Sequence, residues 1–271
     1  MAKVEEELST ADQIAGADDA DRLARYTGPP VPDPRPGGHF LVRFWRSAVG
    51  KKWVMALTGV GLIGFVFAHM IGNLKIYLGM TTYHGVRMYD IDAYGESLRQ
   101  LLVPIMPATV ILWLLRIGLI VMFGLHIHSA YSLTRMNQRA RPTRYQSSRD
   151  YVAVSFASRT MRWTGMITTL YLVFHLFDLS WTGTGATWHR GAVHDNFIAS
   201  MQRPWAAAIY IVANLAIAVH LYHGTWSMFQ SLGLNNPRYN AARRVFATGL
   251  SGLIGLGNVL FPIMVLAKVI K

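Results

Sequence analysis

The chain has 271 residues, 52% of them hydrophobic and only 15% charged, with 26 Lys and Arg against 14 Asp and Glu. So apolar a composition excludes a disordered chain. Cys is absent, which excludes a disulfide scaffold, a thiolate zinc site and a cysteine nucleophile, so any metal centre must be held by His, Met or carboxylates.

Residues 1–38 stand apart. They carry Glu5, Glu6, Glu7, Asp12, Asp18, Asp19, Asp21 and Asp33, eight of the 14 acids, and close on a Pro/Gly-rich run from Gly28 to Gly38. This reads as an acidic cytoplasmic arm that lies on a soluble partner or stays mobile, and it lacks the basic and then apolar order of a signal peptide. Five apolar runs follow, at about 53–78, 103–133, 161–181, 205–232 and 245–269. Each can cross a hydrocarbon core that needs roughly 20 helical residues. Too little polar chain remains to cover five such helices in water. The expectation for residues 39–271 is therefore an all-α membrane protein, a bundle of five transmembrane helices.

The basic residues form no single stripe of the kind that binds nucleic acid. Arg43, Arg46, Lys51 and Lys52, the run from Arg135 to Arg162, and Arg238, Arg243 and Arg244 put fourteen on one side of the bundle, against seven on the other. The positive-inside rule then places the N-terminus in the cytoplasm and the C-terminus outside. The outer connections at 79–102 and 182–204 are too long for simple turns. Short capping helices are expected there, around Ser97–Arg99 and Asn196–Met201.

Of ten histidines, His39, His84, His189 and His194 fall outside the runs, and His69, His126, His128, His175, His220 and His223 fall within them. An ionisable side chain at membrane depth is costly and usually functional. At about 1.5 Å per residue, His69 and His175 lie roughly 27 and 22 Å from the inner ends of their helices, and the other four at roughly 7–16 Å. The histidines thus fall into an outer layer from the first and third helices and an inner layer from the second and fourth. Two His facing each other across a flat ring suit a six-coordinate b-type haem in a helix bundle, and two such layers would make a wire across the membrane. Gly59, Gly61, Gly64, Gly72, Gly118 and Gly124 either make room for the ring or let helices pack closely. His126 and His128 are about 200° apart around their helix, whereas His220 and His223 share a face. His128 and His223 are the preferred inner ligands, with His220 as a quinone or propionate partner; His126 and His220 stay open as alternates. Arg116, Asp178 and Lys75 are the other charges at depth. Candidate partners for Arg116 are Asp178, a haem propionate and a quinone carbonyl.

Three stretches together resemble a known family. His69-Met70-Ile71-Gly72-Asn73-Leu74-Lys75 is the first. His128-Ser129-Ala130-Tyr131-Ser132-Leu133, running on to Asn137-Gln138-Arg139-Ala140-Arg141-Pro142, is the second. His220-Leu221-Tyr222-His223-Gly224-Thr225-Trp226-Ser227, continuing to Gln230-Ser231-Leu232-Gly233, is the third and most specific. Over about residues 40–271 the chain is similar to the single-chain cytochrome b558-type membrane anchors of succinate dehydrogenase and fumarate reductase. The resemblance implies a multi-pass protein of a bacterial cytoplasmic membrane that docks flavoprotein and iron–sulfur subunits on its cytoplasmic face. It would pass electrons from the iron–sulfur subunit to quinone, acting as an oxidoreductase only within that complex. His69, His128, His175 and His223 occupy the places of the haem b ligands, for one or two haems. Two other expectations are a haem-free anchor and a His-ligated iron–sulfur centre whose thiolates come from a partner.

Quinone contacts are expected on the inner side from Arg46, Trp53, Ser132, Arg135, Tyr222 and Trp226, or on the outer side from Lys75, Tyr77, Tyr89, Glu96 and Arg99. A dihaem cytochrome b anchoring another respiratory oxidoreductase is the alternative. A His-lined transporter is weaker, because Asp178 is the one acid within a run. No nucleophile, carboxylate pair or phosphate loop points to an enzyme acting alone.

Overall fold

The computed structural model describes residues 39–140, 152–181 and 188–271, with side chains from residue 160 in the second stretch. The acidic arm, the basic loop at 141–151 and residues 182–187 lie outside the described residues. Two units divide between Trp45 and Arg46. The described part of the first is the beginning of helix α1 (Phe40–Arg46), where the Phe40 and Phe44 rings stack 6.1 Å apart.

The second unit is almost wholly helical. Helix α2 (Ala48–Asn73) continues as a 3-10 turn through Leu78 and leads into a hairpin of β1 (Met80–Tyr83) and β2 (Val86–Tyr89). Then come α3 (Asp90–Arg99), α4 (Val110–Arg139), and α5 (Val152–Leu176), which widens into a π-helical turn at Phe177–Trp181. The remaining helices are α6 (Val193–Met201), α7 (Pro204–Ser231) and α8 (Asn240–Leu266).

Among the described residues four helices are long and apolar enough to cross a membrane: α2 with its extension, α4, α7, and α8 with the 3-10 turn before it. They fall on four of the five expected runs. The fifth run carries α5, which is 25 residues long but has Arg159 and Arg162 in its first half, with Thr160, Thr164, Thr168 and Thr169 lowering its mean hydropathy further. The hydroxyls of Thr164, Thr168 and Thr169 donate to carbonyls four residues back at 2.8–2.9 Å, so they add little polarity to the helix surface. The second helix begins at Val110 rather than near 103. Pro104 and Pro107 interrupt the run, and Leu102 and Thr109 take left-handed backbone with φ of 61° and 72°.

Serine 47 caps α2 by accepting from the Gly50 amide at 2.9 Å. The hairpin is a β feature that the all-α expectation omits. Tyr83 pairs with Val86, and His84 and Gly85 form the two-residue turn with φ of 50° and 81°. Both expected capping helices are present, as the ends of α3 and α6. They are joined through buried His194, which stacks on Tyr89 at 3.4 Å and donates its amide to Asp92 at 2.9 Å. Burial pushes the Asp92 carboxyl above the usual carboxylate range, against the pull of the His194 and Val193 amides. Lys75 closes the cap with an ion pair to Asp90 at 2.7 Å.

Among the long helices the packed neighbours are α2 with α4, α5 with α7, α7 with α8, α2 with α7 and, more lightly, α2 with α8. Small residues permit the closest approaches. A Cβ added at Gly255 would meet Ala218 Cβ at 2.6 Å, and one at Gly257 would meet Met70 Sδ at 2.5 Å.

Candidate functional site: two histidine pairs

The histidines on α2 and α5 face one another. The His69 and His175 rings lie 6.1 Å apart between centres and are perpendicular, at 89°. Phe65 stacks on His69 at 5.4 Å, and Tyr171 flanks His175 at 5.6 Å. The Nδ1 of His175 is 3.3 Å from the Tyr210 hydroxyl on α7, which itself donates to Asp178 at 3.2 Å. The tyrosine proton is thereby committed, so the Tyr210 oxygen accepts from His175 Nδ1–H and leaves Nε2 with a lone pair. Asp178 is 2% exposed and bound also by Ser200 and by the Arg203 guanidinium at 2.6 Å. The charge partner of Asp178 is therefore Arg203 at the start of α7 rather than Arg116.

The second pair comes from α4 and α7. His126 and His220 lie 6.5 Å apart at 68°, so it is the two alternates that meet. The Nδ1 of His126 sits 3.1 Å from the Met55 carbonyl and 3.2 Å from Thr58 Oγ1. A carbonyl can only accept, so this nitrogen carries the proton. The Nδ1 of His220 sits 3.3 Å from Thr164 Oγ1, whose own proton goes to the Thr160 carbonyl at 2.8 Å. Glycines make way for both rings. A Cβ at Gly59 or at Gly165 would lie 3.4 Å from Cε1 of His126 or His220, respectively.

Helices α2 and α5 carry the same pattern, Met-x-x-Thr-Gly-x9-His: Met55, Thr58, Gly59, His69, and Met161, Thr164, Gly165, His175. This repeat is a sequence signal for Thr58 and Thr164, which the reading of the sequence missed. Ten residues separate each glycine from its histidine, so the two pairs lie about 15 Å apart along both helices. Each pair joins helices that are not among the packed neighbours, α2 with α5 and α4 with α7.

Two imidazoles on opposite sides of one metal atom, each nitrogen about 2 Å from it, have centres roughly 6 Å apart once the ring radii are added. Both pairs fit that spacing. In three of the four rings Nδ1 is held by a neighbour, the arrangement that orients a ligating histidine and leaves Nε2 for the metal. Among the described residues no group of three or more His, Asp or Glu could hold a bare ion. Pairs suit a macrocycle that brings four nitrogens of its own. Ser129 Oγ, one turn from His126, is buried without a hydrogen-bond partner among the described residues and offers a donor to such a group.

His128 and His223 are not brought together. His128 Nε2 lies 3.3 Å from Nζ of Lys51, a buried lysine that the sequence did not single out, and 3.4 Å from Ser132 Oγ. His223 packs beside Tyr222 at 5.0 Å between centres. Of the other inner candidates, Trp53 is 39% exposed, Arg135 lies over Tyr131, and Trp226 lies beneath Arg243 and Arg244. Arg46 stands at the end of α1. The outer candidates disperse: Lys75 pairs with Asp90, Tyr77 stacks on Phe261, Tyr89 on His194, and Glu96 pairs with Arg99 at 2.7 Å. The Arg99 guanidinium holds the Glu96 carboxyl below its usual range.

No protein-family description, curated protein or solved structure matches this chain.

Proposed function

We propose that the chain is a dihaem membrane anchor that carries electrons to quinone, the outer haem held by His69 and His175 and the inner by His126 and His220. The observation that carries this reading is the stacking of two imidazole pairs, each at the spacing of a shared metal atom, about 15 Å apart. Haem supplies reversible one-electron chemistry. The chain supplies the ligands and apolar surroundings, and it orients the rings through Thr58, Met55, Thr164 and Tyr210.

In this reading α5 is the fifth span, because its histidine and glycine stand level with partners on α2, α4 and α7. Five spans keep the basic ends of the helices in the cytoplasm and the C-terminus outside. Quinone is received at the inner end, where Lys51, His128 and Ser132 offer donors to a carbonyl oxygen. The electron source is an iron–sulfur and flavin pair of subunits oxidising succinate, and here the support is the motif from His220 to Gly233.

The test is a reduced-minus-oxidised spectrum with pyridine haemochrome quantification on the purified complex, together with succinate:quinone reductase activity. Two b haems per chain and succinate-driven haem reduction are expected. Haem without a succinate-oxidising partner would move the chain to another respiratory oxidoreductase, and active complex without haem would overturn the ligand assignment.

A further inference from the structure

A cavity of about 210 Å³ opens at the outer end of α4, lined by Arg99, Arg116, Arg190, Thr109, Trp113 and Trp188, among others. Its chemistry is cationic. Arg99 is matched by Glu96, but among the described residues neither Arg116 nor Arg190 forms an ion pair with a carboxylate. Asp178, the acid nearest at hand in the spans, is taken by Arg203, Ser200 and Tyr210.

Arg116 lies six residues inside α4, about 9 Å from its first residue. It is exposed, and so are Leu114, Leu115, Ile117 and Ile120 around it, at 53–68%. An exposed arginine on an apolar membrane-length helix needs a counter-charge that the lipid itself can bring. Side chains on a helix tilt toward its N-terminus, here the outer end, and the Arg116 guanidinium lies over the Trp113 ring at 5.1 Å in that direction. Two tryptophans at the rim are the usual markers of headgroup depth.

We propose that this cavity binds the phosphate of an anionic glycerophospholipid in the outer leaflet, Arg116 and Arg190 supplying the charge and the exposed leucine and isoleucine face of α4 receiving the acyl chains. Guanidinium groups suit phosphate because they can donate two parallel hydrogen bonds to it. The site is independent of the haem assignment.

The experiment is native mass spectrometry of the full-length chain in detergent, titrated with phosphatidylglycerol, with phosphatidylcholine, and with phosphatidylglycerol in the presence of millimolar inorganic phosphate. Expected are preferential retention of phosphatidylglycerol, no displacement by inorganic phosphate, and about fivefold weaker retention for each arginine removed in Arg116→Gln and Arg190→Gln. The double Lys variant keeps the charge and should recover most of the retention, which separates loss of the site from loss of the fold. Equal retention by wild type and the double Gln variant overturns the proposal, as does displacement by inorganic phosphate. Loss of haem with lipid retention unchanged also overturns it, assigning the arginines to haem carboxylates.

Discussion

The two histidine pairs share a backbone plan and differ in what holds their rings. On α2 and α5 the same Met-x-x-Thr-Gly-x9-His pattern sets both layers, so the spacing is the same on each side of the bundle. At the inner pair the ring protons meet neutral oxygens: a carbonyl and two threonine hydroxyls. At the outer pair, His175 reaches through Tyr210 to a buried carboxylate that is itself held by an arginine. If the pairs hold haems as proposed, one layer would be tuned by dipoles and the other by a full charge. A carboxylate behind a ligating imidazole raises its basicity and favours the oxidised metal, so the outer centre should have the lower potential.

The largest expected effect breaks the layers one at a time. On the proposed assignment, His69→Leu or His175→Leu is expected to remove the outer haem, and His126→Leu or His220→Leu the inner one. Each variant retains about half of the pyridine haemochrome and loses one component of the redox titration. His128→Leu and His223→Leu retain both haems, and His128→Leu lowers quinone reductase activity. Loss of a haem in His223→Leu with both retained in His220→Leu would return the inner site to the first choice of ligands.

Next comes the charge behind the outer pair. Asp178→Asn leaves Arg203 without its carboxylate, and breaking a buried pair typically costs about 3–5 kcal/mol. Thermal unfolding in detergent is expected to fall accordingly, and the lower of the two midpoint potentials to rise while the higher stays. Tyr210→Phe cuts the relay but keeps the ion pair. It should cost only about 1 kcal/mol in stability and raise the same potential by less than Asp178→Asn does. A shift in the inner potential instead would show that the carboxylate acts at a distance rather than through His175.

The layers themselves were legible in the sequence, because depth follows from counting residues along a helix. Which member of each doublet faces inward was not, since it depends on how each helix is rotated against its neighbour. On α4, Met122 and His126 are four apart and share one face; Gly61 receives Met122 and Gly59 receives His126, which turns His128 away. The doubled glycine on α2 was visible, but its partner was not. The pairing of Asp178 with Arg203 was hidden for a similar reason, since the π-helical turn at Phe177–Trp181 and the short helix α6 bring together residues 25 apart. The start of α4 was misjudged because hydrophobicity runs on through Pro104 and Pro107 while the helix does not.

The smallest effects test whether the repeat is functional or only a packing pattern. Thr58 and Thr164 occupy equivalent places, each donating to the carbonyl four residues back and each presenting its oxygen to one ring of the inner pair. Replacing either by Val keeps the shape and removes one acceptor from a ring N–H, at a cost of at most about 1 kcal/mol. Each ring keeps a second acceptor on the same turn, the Met55 carbonyl at 3.1 Å for His126 and the Met161 carbonyl for His220. On the proposed assignment, Thr58→Val and Thr164→Val should therefore change the low-spin haem EPR signal of the inner centre by similar, small amounts, with the outer signal unmoved. No change in either variant would mean that the hydroxyls stabilise their own helices and leave the rings to be oriented by the methionine carbonyls and by Gly59 and Gly165.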